Sequence, residues 1–379
     1  MLRAALILVV AVAPAWAHGG AFRPPPRKGP RDPVRGPNHP NAPVTPPGGR
    51  APSMTTWEAW WRLNREQYLK IRERMEKREV ITGPRTASVD TKRRRLRETI
   101  LVPEVLAALH HSEFEIRGAA AVAAGKFGLV AAIPRLQAMF KRDKVRDVRE
   151  SALLGLMLLR DKQLAPFFKR MAVRDKETAR FRGFAVLALG FLKESAFLQS
   201  VLLNKVKVTG SGREVEEVRA TAATALGIAG ERSAAIALIK AARSRKVGRK
   251  VAGLAASALG PLKDPVTLGD VLQILRDEKL RDEARVGAAT AVAALVTPDQ
   301  KKTIDLLGKV LNRDRHPGVR AMLAISLGKI GGERAEAILV SNLKSCGQRL
   351  RAFHYLGLGI AGSKEAGGIL LTEFNRIKS

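Results

Sequence analysis

The stretch "VRATAATALGIAG", residues 218–230, decides the fold. Val218, Ala222 and Leu226 fall four residues apart and so share one face of a helix. Gly227 follows them, where the helix either touches a neighbour closely or stops. The same pattern returns from Glu115 to the C-terminus. Taking Ile116, Val148, Phe181, Val218, Val251, Ala284, Val319 and Leu350 as starts, the spacings are 32, 33, 37, 33, 33, 35 and 31 residues. Nine residues after the start stands Gly125, Gly190, Gly227, Gly260, Gly328 or Gly359, with Met157 and Ala293 departing. The positions eight and twenty residues after each start are apolar in every unit.

Apolar positions at offsets 0, 4 and 8 make one face of a first helix, and a second apolar helical stretch follows, as in "AAIALIKAA" at 234–242. Each unit is then a helical hairpin that cannot bury both its faces alone and is completed by its neighbours. The expected fold is all-α: an α-solenoid (α-α superhelix) of about eight hairpins over 116–379. Val218, Arg219, Ala222, Ala225, Leu226 and Gly227, and again Val319, Arg320, Leu327 and Gly328, resemble the core motif of HEAT-like repeats, also called phycobilisome-lyase-type repeats. The resemblance implies the fold and leaves the activity open. Some members of that family are bilin lyases, but only the generic repeat residues match here.

Upstream of the array the chain changes character. "MLRAALILVVAVAPAWA", residues 1–17, reads as a signal peptide, with one early arginine, an apolar run and Ala15-Trp16-Ala17 as a cleavage site. An uncleaved anchor is the alternative, although the apolar run is short of the roughly 20 residues that span a bilayer. An exported protein, periplasmic or extracellular, with no transmembrane segment after signal cleavage, is expected. Cys346 is the only cysteine, so the chain forms no internal disulfide. Residues 18–53 carry eleven prolines and few large apolar side chains, which predicts an extended basic linker. Residues 54–115 contain Trp57, Trp60, Trp61 and Tyr68 at helical spacing, behind a Thr55–Glu58 capping box. A solenoid exposes the apolar face of its first repeat, so this segment is expected to be an N-terminal helical cap; a carbohydrate or peptide site on the tryptophans is the other reading.

Candidate binding residues follow from charge. Lys and Arg outnumber Asp and Glu by 67 to 35, giving +32, which points to an anionic partner or surface. Arg117, Arg149, Arg182, Arg219, Arg285, Arg320 and Arg351 occupy the second position of seven units, and Glu115, Asp147, Glu217 and Glu283 stand two residues before four of them. The resemblance implies a structural ladder in which such acids and arginines join adjacent repeats. Second helices end in cations such as Lys141, Arg142, Lys169, Arg170, Lys240, Arg243, Lys309 and Arg313. Such cations complement the helix dipole; if second helices line the concave surface, as the resemblance implies, they also form a basic stripe there. The densest stretch is 240–250, with Lys240, Arg243, Arg245, Lys246, Arg249 and Lys250 and no acid. The long loop 205–217 is expected to be flexible.

No catalytic motif, metal-ligand spacing or cofactor-binding motif is present, so no enzyme activity and no cofactor is expected. The leading expectation is a scaffold that binds a protein or peptide partner, acidic given the charge, along its concave surface. The second is polyanion binding: extracellular nucleic acid, acidic polysaccharide or lipopolysaccharide. A bilin-lyase-like enzyme is a minor third.

Overall fold

The computed structural model describes residues 95–174 and 177–378. The expected signal peptide, the linker and the cap residues Trp57, Trp60, Trp61 and Tyr68 lie outside the described residues. Among those residues there are seventeen α-helices and no strand. A π-helical turn, Arg97–Leu101, leads into α1 (Val102–Ala108). Eight hairpins follow: α2 (Phe114–Phe127) with α3 (Ile133–Arg142), α4 (Arg146–Leu159) with α5 (Ala165–Val173), α6 (Ala179–Phe191) with α7 (Ser195–Leu202), and α8 (Gly212–Ala229) with α9 (Ala235–Arg243). The array continues through α10 (Arg249–Ala258) with α11 (Leu268–Arg276), α12 (Asp282–Leu295) with α13 (Lys301–Arg313), α14 (Pro317–Ile330) with α15 (Glu333–Ser345), and α16 (Gln348–Ala361) with α17 (Lys364–Lys378). One compact unit begins at Leu96, and α1 packs on α2 as each later second helix packs on the next first helix.

Local chemistry sets the helix ends. Thr178 and Ser211 cap α6 and α8, and Ser211 with Glu214 makes a reciprocal capping box. Gly128, Gly230 and Gly362 end α2, α8 and α16 in the left-handed conformation, which lets their amides reach back to the last carbonyls. The loop expected to be flexible is tied down instead. Thr209 donates from both its amide and its hydroxyl to the Val173 carbonyl, at 3.0 and 2.9 Å, and Val208 is buried beneath it.

The core lies between two rows of helices. Offsets 0, 4 and 8 supply it, as with Val218, Ala222 and Leu226, each fully buried. Most of the glycines at offset 9 are contact points with the helix continuing past them; Gly260 lies just beyond the end of α10 and is still a contact point, and Gly359 meets nothing closely. A Cβ on Gly190 would stand 2.6 Å from the Ala225 carbonyl oxygen, and one on Gly260 would stand 3.0 Å from the Ala291 oxygen. Gly328 faces Gly357 in the same way. Most consecutive first helices thus pack backbone against backbone with the most extensive contacts in the array, α4 with α6 being the exception, whereas most consecutive second helices touch little.

This corrects one expectation. In a curved array the closer-spaced row lies inside, so the first helices, not the second, line the concave side. Most second helices make few contacts with one another, and their terminal cations belong to this outer row.

Candidate functional site

The arginines at offset 1 close each hairpin onto the next. The last carbonyls of a helix have no partner within it and carry the negative end of its dipole. Each second helix ends beside the following first helix, within reach of its arginine. Arg149 Nε donates to the Phe140 carbonyl at 2.8 Å, Arg182 to Ala172 at 3.3 Å, Arg285 to Leu275 at 3.2 Å and Arg320 to Leu311 at 2.9 Å. Arg219 donates to the Leu202 carbonyl through both Nε and Nη2, at 3.1 and 2.9 Å. Arg117 binds the His111 and Ser112 carbonyls. In the last unit, Arg351 Nε is buried without a hydrogen-bond partner.

A planar guanidinium can satisfy a carbonyl with one edge and a carboxylate with another. The carboxylates it meets are not those expected. Arg117 pairs with Asp143 at 3.0 Å, Arg149 with Glu177 at 3.4 Å, and Arg285 with the buried Asp314, each acid lying in the turn of the next repeat. Burial raises the Asp143 pKa, but the hydrogen bond from Arg117, the Val145 amide and the charges of Arg117 and Arg135 outweigh it and hold the carboxyl below its ordinary value. Of the acids two residues before the arginines, Glu115, Asp147 and Glu283 sit on the first helical turn, and Glu217 lies further along α8. Glu217 pairs with Lys250 at 3.8 Å and Glu283 with Arg249 at 4.0 Å, while Glu115 and Asp147 are exposed.

The basic stretch 240–250 is also knitted into its neighbours rather than gathered into one anion site. Arg243 donates to Asp270 and Gln273, at 2.8 and 2.7 Å, and Arg245 to the Lys279 carbonyl at 3.0 Å. Arg249 and Lys250 make the pairs already described. Glu216 accepts from the Lys250 amide at 3.3 Å, capping α10, and a Cβ on Gly248 would overlap that carboxylate. Lys240 and Lys246 make no ion pair among the described residues. Of the other second-helix cations, Lys169 pairs with Glu194 at 2.6 Å and lies over the Phe197 ring.

A different surface emerges on the first helices. Offset 6 points away from the second-helix row, and the eight residues there are Val122, Leu154, Leu187, Thr224, Ser257, Thr290, Ile325 and Leu356. All are partly or openly exposed, and none is charged, in a chain where 27% of residues are. Phe184, Phe191, Leu254 and Met322 flank the row, half-buried. At its end Phe353, Leu356 and Ile360 are 37%, 50% and 41% exposed.

A family model of HEAT repeats matches residues 93–157 and 271–356. Those segments are HEAT repeats. Among solved structures, the chain is similar to human deoxyhypusine hydroxylase in complex with glycerol, at 16% identity and a TM-score of 0.30, over 62% of this chain and 98% of that one. It is also similar to the complex of CpcE and CpcF of phycocyanin lyase from Nostoc sp. PCC7120, at 19% identity and a TM-score of 0.31, over 74% of this chain and 97% of that one. No curated protein matches it.

The uncharged row is already present in the repeat pattern of the sequence. Offsets 0, 4, 8, 9 and 20 stand out because packing makes them uniform. Offset 6 varies in identity and is uniform only in lacking charge, a signal that repetition alone does not bring forward.

Proposed function

We infer that the protein is an exported, non-catalytic scaffold that holds a segment of a partner protein or peptide along its row of first helices. The uncharged row at offset 6 carries the reading. Partly exposed positions of a highly charged chain ordinarily take up charge, and a row of them without any marks a candidate interaction surface. The HEAT repeats support it, since such arrays build extended binding faces from small contributions of successive units. Export rests on residues 1–17.

The test is site-resolved. A photo-crosslinking residue is placed at Leu187 or Ser257 in the full chain, with controls at Ile236 and Val266, which are 81% and 84% exposed on the second-helix side. In the native extracytoplasmic fraction, one discrete protein is expected to crosslink from the first two positions and not from the controls. Equal yields from both sides, or products only from the controls, would reject the assignment.

A further inference from the structure

The turns that lead from each second helix into the next first helix all lie at one edge of the array, because every hairpin repeats the same direction. Their charge is not what the sequence of each turn suggests. In three of them a carboxylate, Asp143, Glu177 or Asp314, is drawn inward onto a ladder arginine of the preceding repeat. Beside the turn before α10, Glu216 and Glu217 of α8 are taken up by the Lys250 amide and the Lys250 ammonium. The cations of the same turns stay outside. Lys144, Arg174, Lys207, Lys246 and Arg315, with Arg349 on the first turn of α16, are exposed and make no ion pair among the described residues. Among the turn residues, internal pairing therefore takes up negative charge and leaves positive charge outside, while Glu115 and Asp147 on the adjoining first helical turns stay exposed. Only the turn before α12 keeps balance, with Asp277 and Glu278 exposed beside Arg276 and Lys279.

We propose that this edge docks the phosphodiester backbone of a nucleic acid duplex. Three features fit that chemistry. The cations are distributed, at least one in or beside six successive or near-successive turns, rather than gathered into a pocket, which suits a linear polyanion. Packed helices lie about 8–10 Å apart, and one strand presents a phosphate about every 3.4 Å, so each turn meets the backbone at roughly every third nucleotide. The N-termini of all eight first helices also point to this edge and add their positive dipole ends. Nothing in the turns is shaped to read base edges, so contacts position the duplex without selecting sequence. The edge is separate from the uncharged row, and either surface can be lost without the other.

The probe is a fluorescein-labelled duplex of about 20 base pairs, as DNA and as RNA, titrated with the full chain at several salt concentrations and read by fluorescence anisotropy; heparin is run in parallel. One variant carries Lys144→Gln, Lys207→Gln, Lys246→Gln and Arg315→Gln. Its control carries Lys126→Gln, Lys162→Gln, Lys193→Gln and Lys329→Gln, four exposed cations of the opposite edge with the same change in charge. All eight side chains are exposed, and an unchanged melting midpoint verifies the fold. The first variant is expected to bind about 10 to 100-fold more weakly at about 0.1 M salt, its log–log salt slope shallower by about 1 for each phosphate contact removed. The control is expected to bind within about twofold of the parent, by the same counterion reasoning. Whichever duplex shows this edge dependence names the source. Equal losses in both variants, or edge dependence with heparin but with neither duplex, would overturn the proposal.

Discussion

The close packing of first helices makes a sharp prediction, because α6 contains two glycines in opposite surroundings. A Cβ on Gly190 would stand 2.6 Å from the Ala225 oxygen and 3.0 Å from its Cα, whereas one on Gly183 would meet nothing nearer than Thr221 Oγ1 at 3.9 Å. An ordinary contact begins near 3.4 Å, so Gly190→Ala forces α6 and α8 apart by about 0.8 Å where backbone faces backbone and no side chain can yield. Overpacking of this kind costs about 1–3 kcal/mol. Replacing glycine by alanine inside a helix gives back about 0.5–1 kcal/mol, and Gly183→Ala receives that gain alone. The same substitution on the same helix should therefore stabilise at 183 and destabilise at 190, with a difference of about 1–3 kcal/mol. Native-state hydrogen exchange of amides in α6 and α8 is the assay, since a solenoid opens unit by unit and a global midpoint blurs the effect. Protection in Gly190→Ala equal to or above that in Gly183→Ala would refute the argument, and with it the assignment of the first helices to the inner row.

Two further outcomes follow from the ladder and the last repeat. Arg285→Ala leaves the Asp314 carboxylate buried without its arginine and should cost about 3–5 kcal/mol, whereas Arg219→Ala, whose guanidinium hydrogen-bonds the Leu202 carbonyl and has the partly exposed Glu216 as its nearby charge, should cost about 1–3 kcal/mol; urea midpoints in the reverse order would remove the ladder's energetic basis. His354 is fully buried, with Nδ1 2.9 Å from the Leu350 carbonyl and Nε2 unpartnered. Burial pushes its pKa below the ordinary 6.5, the carbonyl opposes this, and the Arg320 charge adds to the depression. The folded state thus binds fewer protons than the unfolded one, so this stability is complete above pH 6.5 and is lost as pH falls from there through the folded-state pKa. Exchange protection in α16 should fall between neutral and mildly acidic pH in the parent and lose that slope in His354→Ala; an unchanged slope would show that His354 is not its source.

The amino-acid sequence by itself determined the repeat, its length and the identity of the core. Val218, Ala222, Leu226 and their counterparts recur because each first helix must bury the same stripe, and a constraint repeated eight times is legible without coordinates. It also marked Gly190, Gly260 and Gly328, though not whether they end a helix or receive one. The tertiary structure decided what depends on residues far apart in the chain. Which acid meets which arginine was settled by Arg117 reaching Asp143 and Arg285 reaching Asp314, because the nearer acids at Glu115 and Glu283 project outward from the first helical turn. The basic run at 240–250 looked like one site because charge was counted along the chain, and Asp270, Glu217 and Glu283 answer it across neighbouring repeats. The inner row, too, was set by how closely two backbones approach, which is a property of pairs of helices. Periodicity specifies the face a helix buries, and only packing specifies what that face is buried against.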